Sequence, residues 1–489
     1  MRSRKTKNFI ALVLSTGLIA FSFTSPTLAA DGNQQAGSNN SNTYPLGPLG
    51  SKCTKNGLIA FNGQMTAVCK KGKVSFVLAT DVPKTPVGGY KTRPSWYPKL
   101  SEVFSNGRGP ANITCKPLSV KFTSPVIPLD QLAPIIPYGM TIGGHVTPID
   151  HGYIGIKTLA LPSAERSNAA YVPITAPADG TIIEVGSLGS TTSHRVLIDH
   201  GCNLISVYMV INKLTGVLAP YAKDVDAKGY VSLRLKIKAG QEFGRQRDNP
   251  LDFNVFDGTS WLSGFQNPQA YLYAENWKPY TADYLPFFTT QIRSAMEAQL
   301  QKTTSPRVGK IDYDVAGSAS GNWFLQGTNG YTGRPNSDYA TATSMVQGPP
   351  AGKNDYSWSH LSIAPHQVDT SQWIFSSGWW EDPRGDANQA LLVVGSGQVA
   401  PDRLTAASGM VVYKLEQISI QDPTNAPARE PGSMAPFAVG YTLIPGGSVK
   451  GIVALQVNSQ GTLSVELNTT MKSPSEFTSF TSAKRTYTR

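Results

Sequence analysis

Two histidines and two aspartates in this chain have the side-chain chemistry of a metal site. His145, Asp150 and His151 stand close together in the segment 143–153, and Asp252 lies far downstream. Imidazole nitrogens and carboxylate oxygens together suit zinc or iron. A catalytic zinc needs three such ligands and an open position, where its bound water becomes acidic enough to attack a carbonyl carbon. These four residues are the candidate metal ligands.

The same residues also fit a purely structural interpretation. Thr147 and Pro148 lie between the two histidines and indicate a turn. A buried loop held by hydrogen bonds uses polar side chains of this kind without binding a metal. The sequence leaves both interpretations open.

The elements that must position these residues are β-strands. A Pro-Ala-Asp-Gly turn at residues 177–180 leads into alternating β-forming residues. Blocks of the same kind follow at residues 194–201, 204–211, 237–244 and 251–257. Asp252 lies in the last of these blocks.

The order of the blocks resembles the lysostaphin-like, or LytM-type, zinc endopeptidases. The chain has Ala-Pro-Ala-Asp-Gly, Val-Leu-Ile-Asp-His-Gly, Tyr-Met-Val-Ile and Ile-Lys-Ala-Gly-Gln-Glu-Phe-Gly in the order of that family's motifs. The resemblance covers residues 135–260. It implies a peptidase domain with the duplicated hybrid motif fold at residues 113–280. For active members of the family it implies zinc-dependent cleavage of peptidoglycan peptides.

Several positions that carry the family's chemistry differ in this chain. The resemblance places Val210 at the position of one histidine, and Pro250 and Asp252 at the positions of two others. If His151 takes the position of the histidine in the family's first ligand motif, Gly155 takes the position of that motif's aspartate. Valine can neither accept a proton nor polarise a substrate.

Alignment of the first motif on His145 instead places Asp150 one residue too far along, which turns an extended side chain to the other face. The resemblance therefore implies a domain without catalytic residues or cofactor, one that binds envelope components or regulates true hydrolases. The alternative is an active zinc metalloendopeptidase with a rearranged site. That site would use His145, Asp150, His151 and Asp252.

The N-terminus predicts an export signal. Four basic residues precede an apolar run, and small residues around position 29 suit cleavage, which defines a signal peptide at residues 1–30. The apolar run is short for a retained anchor, so we expect no transmembrane segment after removal of the signal. The expected location is secreted or extracellular, in association with the cell wall.

The charge balance bears on the partners. The formal charge is +11, and four of the basic residues lie in the predicted signal, which contains no acid, so the mature chain carries +7. This excess suits an anionic cell envelope, whereas no basic stripe with interleaved aromatic residues indicates nucleic acid. We expect an envelope polymer or peptide, or another envelope hydrolase, as partner.

The region before the peptidase-like domain divides into three parts. Residues 31–49 are polar and predict a disordered tether. Residues 50–80 predict a small hairpin module, and residues 81–112, rich in proline, predict a linker. Cysteines in an exported chain indicate disulfides. Of three possible pairings we favour Cys53 with Cys69, pinning the hairpin, and Cys115 with Cys202.

The C-terminal part is also β-rich. Residues 281–304 have apolar positions near a 3.6-residue period and predict a helical connector. Short strand patterns separated by turns predict an all-β sandwich or barrel at residues 305–489, so the whole chain is expected to be mainly β and multi-domain. Gly321-Asn-Trp323 is similar to the Gly-x-Trp motif of lipocalins. It gives a further alternative, a ligand carrier that acts through this domain.

Overall fold

A computed structural model describes most of the chain. The described residues are 57–61, 65–70, 73–78, 88–95, 97–104, 115–141, 145–271, 274–328, 330–333, 356–378, 389–395, 398–424 and 438–489. The predicted signal peptide at 1–30 and tether at 31–49 lie outside them. The described chain is mainly β, as predicted from the sequence. None of its described helices has the length and apolar character needed to cross a bilayer.

A small antiparallel sheet comes first. Its three strands are β1 (Gly57–Phe61), β2 (Met65–Lys70) and β3 (Lys73–Leu78). The predicted two-stranded hairpin is a three-stranded sheet in the structure, because residues 73–78 also alternate and pair with β2. Cys53 lies outside the described residues, and so does its predicted bond to Cys69.

Two antiparallel sheets form the next domain. The larger has the strand order β11-β7-β8-β9-β13-β5-β4 and the smaller β10-β12-β6. Their bounds are β4 Leu132–Ile136, β5 Gly152–Ile156, β6 Val172–Thr175, β7 Gly180–Ser190, β8 Ser193–Asp199, β9 Leu204–Ile211, β10 Lys213–Leu214, β11 Tyr230–Ile237, β12 Glu242–Gln246 and β13 Leu251–Asp257. The blocks at 194–201, 204–211 and 251–257 thus form β8, β9 and β13, which are neighbours in the larger sheet.

The two faces of the larger sheet are covered by different parts of the chain. One face carries Val196 and Phe253, which pack with Ile174 and Phe243 of the smaller sheet in the main core. We call the opposite face the site face, because Asp252 shares it with every second residue of β13. It carries an apolar patch of Leu197, Ile205, Val207, Met209 and Phe256.

The predicted linker at 81–112 is not a free linker. Its described part contains α1 (Leu100–Val103) and lies on the site face, where Tyr97, Leu100 and Val103 are at most 2% exposed. Burial of these apolar side chains against the sheet stabilises the folded chain, whereas a solvated linker would leave them exposed to water. This packing could not be predicted from the Pro-rich sequence, because its apolar residues follow neither a helix period nor a strand period.

The remaining helices are short. They are α2 (Ser163–Arg166), α3 (Ala222–Lys228) and α4 (Thr290–Gln299). The helix predicted over 281–304 therefore starts later, because Pro286 lies in a separate 3-10 turn and a proline ring has no backbone N–H. Ile292 and Met296 of α4 pack in the main core. The segment is thus part of the domain and not a connector between domains.

A disulfide joins Cys115 to Cys202, the pair favoured from the sequence. The two residues are separated by 87 positions. The bond ties the segment that follows the predicted linker to the turn between β8 and β9.

The C-terminal domain is a closed eight-stranded barrel, which decides between the two predicted architectures. Each strand pairs antiparallel with the next, and the first also pairs with the last. The strands are β14 Gly321–Leu325, β15 His360–Pro365, β16 Trp373–Ser377, β17 Gln389–Val394, β18 Val411–Gln421, β19 Thr442–Val457, β20 Leu463–Asn468 and β21 Arg485–Thr488.

The barrel interior is filled by apolar side chains. Trp323, Phe375, Tyr413, Leu455 and Tyr487 come from five different strands, are buried, and belong to one cluster. The guanidinium of the last residue, Arg489, lies 4.1 Å from the centroid of the Trp323 ring. This filled core gives no support to the ligand-carrier alternative.

Candidate functional site

The four predicted ligands lie together on the site face. His145, Asp150 and His151 come from the loop between β4 and β5, and Asp252 from β13. Because β5 and β13 pair antiparallel with Gly152 opposite Phe253, the residue just before β5 lies beside the middle of β13. The distance from His151 Nδ1 to Asp252 Oδ2 is 3.5 Å, and the rings of the two histidines are 5.4 Å apart. Each of the four residues is at most 7% exposed.

The Asp150 carboxylate is occupied by protein donors. The indole Nε1–H of Trp277 donates to its Oδ2 over 3.0 Å, and the amide of Asn254 donates to the same oxygen over 3.4 Å. The ammonium of Lys278 lies 3.5 Å from Oδ1 and 2.8 Å from Glu275 Oε2. Asp150 is thus part of a hydrogen-bonded, ion-paired loop, the structural alternative that the sequence left open.

The partners of Asp150 were not predicted from the sequence. Asn254 had a usable signal, since it lies two residues after Asp252 on a strand and must share its face. Glu275, Trp277 and Lys278 had none, because no local pattern connects them with residues more than a hundred positions earlier.

Both imidazoles are held in the neutral form. Burial, and then the nearby Lys278 ammonium, lower the pKa of His145 to about 3. Burial lowers the pKa of His151 well below its ordinary value, and His145 and Lys278 lower it further. Desolvation penalises the charged form of a buried base, and a neighbouring cation adds to that penalty. At neutral pH neither ring is an imidazolium that could act as a general acid.

A second buried ion pair lies on the same face. Arg195 of β8 contacts Glu184 of β7 through one guanidinium nitrogen, and both residues are under a tenth exposed. Arg195 also lines a small pocket together with Asp150, His151, Asn254 and Glu275. These polar residues therefore line the same pocket on the site face.

Aromatic side chains from three parts of the chain line the pocket. Phe104, from the end of the segment that covers the face, stacks on Phe256 at 5.5 Å and on Trp277 at 5.9 Å between ring centroids. The pocket that remains has a volume of about 30 Å³. Such a volume holds about one or two water molecules and no peptide.

The donor set does not fit a zinc ion. Across the described ranges, no three His, Cys, Asp or Glu side chains form a group that could hold a metal. Asp150 already accepts from two side chains, and a lysine ammonium stands within the cluster. A cation so placed opposes the entry of a second cation.

Val210 has an unusual backbone. Its φ of 59° falls in the left-handed region, which β-branched residues rarely adopt. The pairing of β8 with β9 shifts register between His194 and Val196, opposite this point, so Val210 lies at a bulge. Its carbonyl accepts from the Gln246 amide over 3.0 Å. The resemblance assigns this position to a catalytic histidine. In this structure Val210 instead forms part of a β-bulge.

Comparisons with known proteins add little. No family model and no curated protein matches the chain. Among solved structures, the chain is similar to the solution structure of lysostaphin, with 11% sequence identity and a TM-score of 0.21. The match covers 72% of this chain and 95% of that one. A score this low decides nothing about the site, so the resemblance to lysostaphin-like endopeptidases depends on the sequence motifs.

Proposed function

We propose that this chain is an exported, cell-envelope-associated protein whose lysostaphin-like domain binds an envelope polymer or regulates an envelope hydrolase and does not itself cut peptides. In this proposal the domain has lost most of the zinc ligands of its relatives and needs no cofactor. The basic charge of the mature chain would favour an anionic envelope.

The observation that carries the proposal is the covered site face. A peptidase must bind an extended substrate next to its reactive groups. Here one apolar cluster on the strands contains Tyr97, Leu100 and Val103, together with Trp277 and Tyr280. The pocket beside them is too small for a peptide.

The chemistry of the cluster supports the same proposal. Val210 offers no base, burial keeps His145 and His151 neutral, and the Asp150 carboxylate already accepts from Trp277 and Asn254. Hydrolysis through zinc would need ligands that are free to converge on one ion.

The test uses the mature chain and insoluble peptidoglycan. We expect the protein to sediment with the polymer and to release no stem peptides, with or without added Zn²⁺. Lysostaphin serves as the positive control for release. Peptide release that a chelator abolishes would overturn the proposal, and a protein that neither sediments nor alters the activity of an added envelope hydrolase would overturn its binding part.

The runner-up is an active metalloendopeptidase with a rearranged site. One observation favours it: His145, Asp150, His151 and Asp252 lie in one buried cluster. Metal analysis of the purified protein separates the two proposals. A catalytic site would retain near-stoichiometric zinc, and a binding protein would retain none.

A further inference from the structure

Lys278 places a primary amine against a carboxyl group in the buried part of the site face. Its Nζ lies 3.5 Å from Asp150 Oδ1, and Lys278, Asp150 and Glu275 are each at most 7% exposed. A buried ion pair usually stabilises a fold no better than apolar side chains of the same volume. The need for a stable fold therefore does not explain why this amine and this carboxyl group lie together.

Glu275 is placed to carry protons to and from the amine. Its Oε2 lies 2.8 Å from Lys278 Nζ, within the range over which a general base takes a proton. The backbone N–H of Lys278 also donates to the Glu275 carbonyl over 3.0 Å, so one turn holds both residues. The φ of Glu275 is 58°, which residues other than glycine seldom adopt. Backbone strain of this kind is common at functional sites.

The second oxygen of the Asp150 carboxyl group is held by hydrogen-bond donors. The Trp277 indole N–H donates to Oδ2 over 3.0 Å, and the Asn254 amide donates to it over 3.4 Å. An attack of the amine on Cγ of Asp150 would place negative charge on Oδ2. Donors that are already in position stabilise such a charge. Oδ1, which faces the amine, is then the oxygen that can leave.

We propose that Lys278 and Asp150 form an intramolecular isopeptide bond, with Glu275 as the proton carrier. One proton passes from Nζ through Glu275 to Oδ1, which leaves a neutral amine and a neutral acid. The Nζ lone pair attacks Cγ, Glu275 moves a second proton from the nitrogen to Oδ1, and the Cγ–Oδ1 bond breaks. The products are an amide and one water molecule, so the condensation needs no other reactant.

The surroundings favour the amide over the ion pair. Condensation removes two buried charges and, with them, the cost of keeping them away from water. The Tyr331 ring, itself buried, has its centroid 5.2 Å from Nζ, and Trp277 lies beside Asp150. Exclusion of water by such side chains protects a bond from hydrolysis. The pocket lined by Asp150 has about 30 Å³, enough for the water that is released.

The bond joins two parts of the domain that are distant in sequence. Asp150 lies just before β5, and Lys278 follows 128 positions later, beyond β13. A covalent link of this kind restricts the unfolded chain as a disulfide does, but reducing agents do not break it. The structure describes the unlinked chain, in which Lys278 is an ammonium. The inference does not depend on which envelope partner the protein binds.

The experiment compares the intact mass of the wild-type chain with that of Glu275→Gln, both prepared in the same way and reduced before measurement. Glu275→Gln keeps the amine and the carboxyl group but removes the proton carrier. We expect the wild type to be lighter than its sequence predicts by one water molecule, and Glu275→Gln to have the full mass of the unlinked chain. Peptide mapping of the wild type should find one fragment with Asp150 joined to one with Lys278.

Two further variants serve as controls. Lys302 is buried and donates to Thr304 Oγ1 over 2.7 Å, so Lys302→Met removes a buried lysine elsewhere and should retain the link. Lys278→Arg keeps the charge without the amine and should have the full mass. Succinimide formation at an Asp-Gly pair, such as 257–258, also removes one water molecule, but it leaves the two fragments separate in the peptide map.

The wild type alone decides the main question, even if a variant does not fold. A linked pair of fragments supports the inference. A wild-type chain of full mass, or one whose missing water maps to another position, would overturn it and leave the proposed function intact, since that function needs no covalent link. Equal yields of the linked pair in the wild type and in Glu275→Gln would overturn the role given to Glu275.

Discussion

The barrel interior and the site face are both covered surfaces of antiparallel sheets, and they are filled in opposite ways. The barrel interior holds apolar side chains from all of its strands, with Trp323 fully buried among them. The site face adds to its apolar patch the Arg195–Glu184 pair and the Lys278 cluster. Apolar burial stabilises by about 25 cal/mol per Å². Buried charges first pay a desolvation cost that their pairing only partly offsets.

The requirement for a stable fold explains the side chains of one region and not those of the other. The contents of the barrel follow from the need to fill a closed sheet. The charges on the site face do not, because apolar residues of similar volume would hold the same strands at least as well. Stability alone therefore accounts for the barrel core and does not account for the polar cluster.

The largest expected effect is in the barrel. Trp323→Ala should lower the free energy of unfolding by about 3–5 kcal/mol, because a fully buried indole leaves a cavity. It also removes the ring under Arg489. Denaturant unfolding measures the loss. A change below 1 kcal/mol would mean that the interior is loosely packed, and the contrast with the site face would fail.

A loss almost as large is expected on the site face, but there it should be repairable. Arg195→Met leaves the Glu184 carboxylate buried without its cation and should cost about 3 kcal/mol. The double variant Arg195→Met, Glu184→Leu removes both charges and should recover most of that loss. Equal costs for the single and double variants would show that Arg195 acts mainly through packing.

Part of the candidate site could be predicted from the sequence, because Asp252 lies in a block with strand alternation and His151 directly precedes a strand. The block at 251–257 is β13, residue for residue, and the block at 204–211 is β9. Lys278 could not be predicted, since it meets Asp150 across 128 positions. The cover formed by residues 97–104 was missed for the same reason: its apolar residues have no period and are buried only by a distant sheet.

For the C-terminal domain, the local pattern predicts strands but not closure. Whether the strands form a sandwich or a barrel depends on the pairing of Phe324 with Thr488 and of Leu325 with Tyr487. These few pairs join the two ends of the domain. Alternation along any one strand is the same in both architectures.

The two regions should respond alike to acid. Burial lowers the pKa of His145 on the site face and of His366 beside the barrel to about 3. The unfolded chain binds these protons below pH 6.5 and the folded chain does not, so stability is retained above pH 6.5 and lost as the pH falls towards 3. Each histidine should contribute about 1.4 kcal/mol per pH unit.

Replacement of either histidine by Gln should reduce that slope by the same amount, as measured by unfolding at pH 7, 6 and 5. Compared with the unlinked chain, Lys278→Met should move the lower end of the pH window that depends on His145 to higher pH and leave that of His366 unchanged, because of these two rings only His145 has Lys278 as a perturbing cation. A uniform change in both would contradict the separate surroundings of the two rings.

The smallest expected effect concerns backbone strain, which also differs between the regions. Among the described residues, the non-glycine residues with positive φ are Cys202, Asn203, Val210 and Glu275, all in the two-sheet domain. A β-branched residue there costs about 1–2 kcal/mol. Val210→Gly should therefore stabilise the protein by about 0.5–1 kcal/mol after the flexibility of glycine is counted.

Val207→Gly on the same strand is the matched control. Val207 is 6% exposed, packs on the site face and has no positive φ, so its replacement should destabilise. Opposite signs in the two denaturation midpoints would show that the bulge at Val210 is strained. Equal losses would mean that packing of the Val210 side chain outweighs its backbone cost, and the site face would then be as well adapted to its own fold as the barrel interior is.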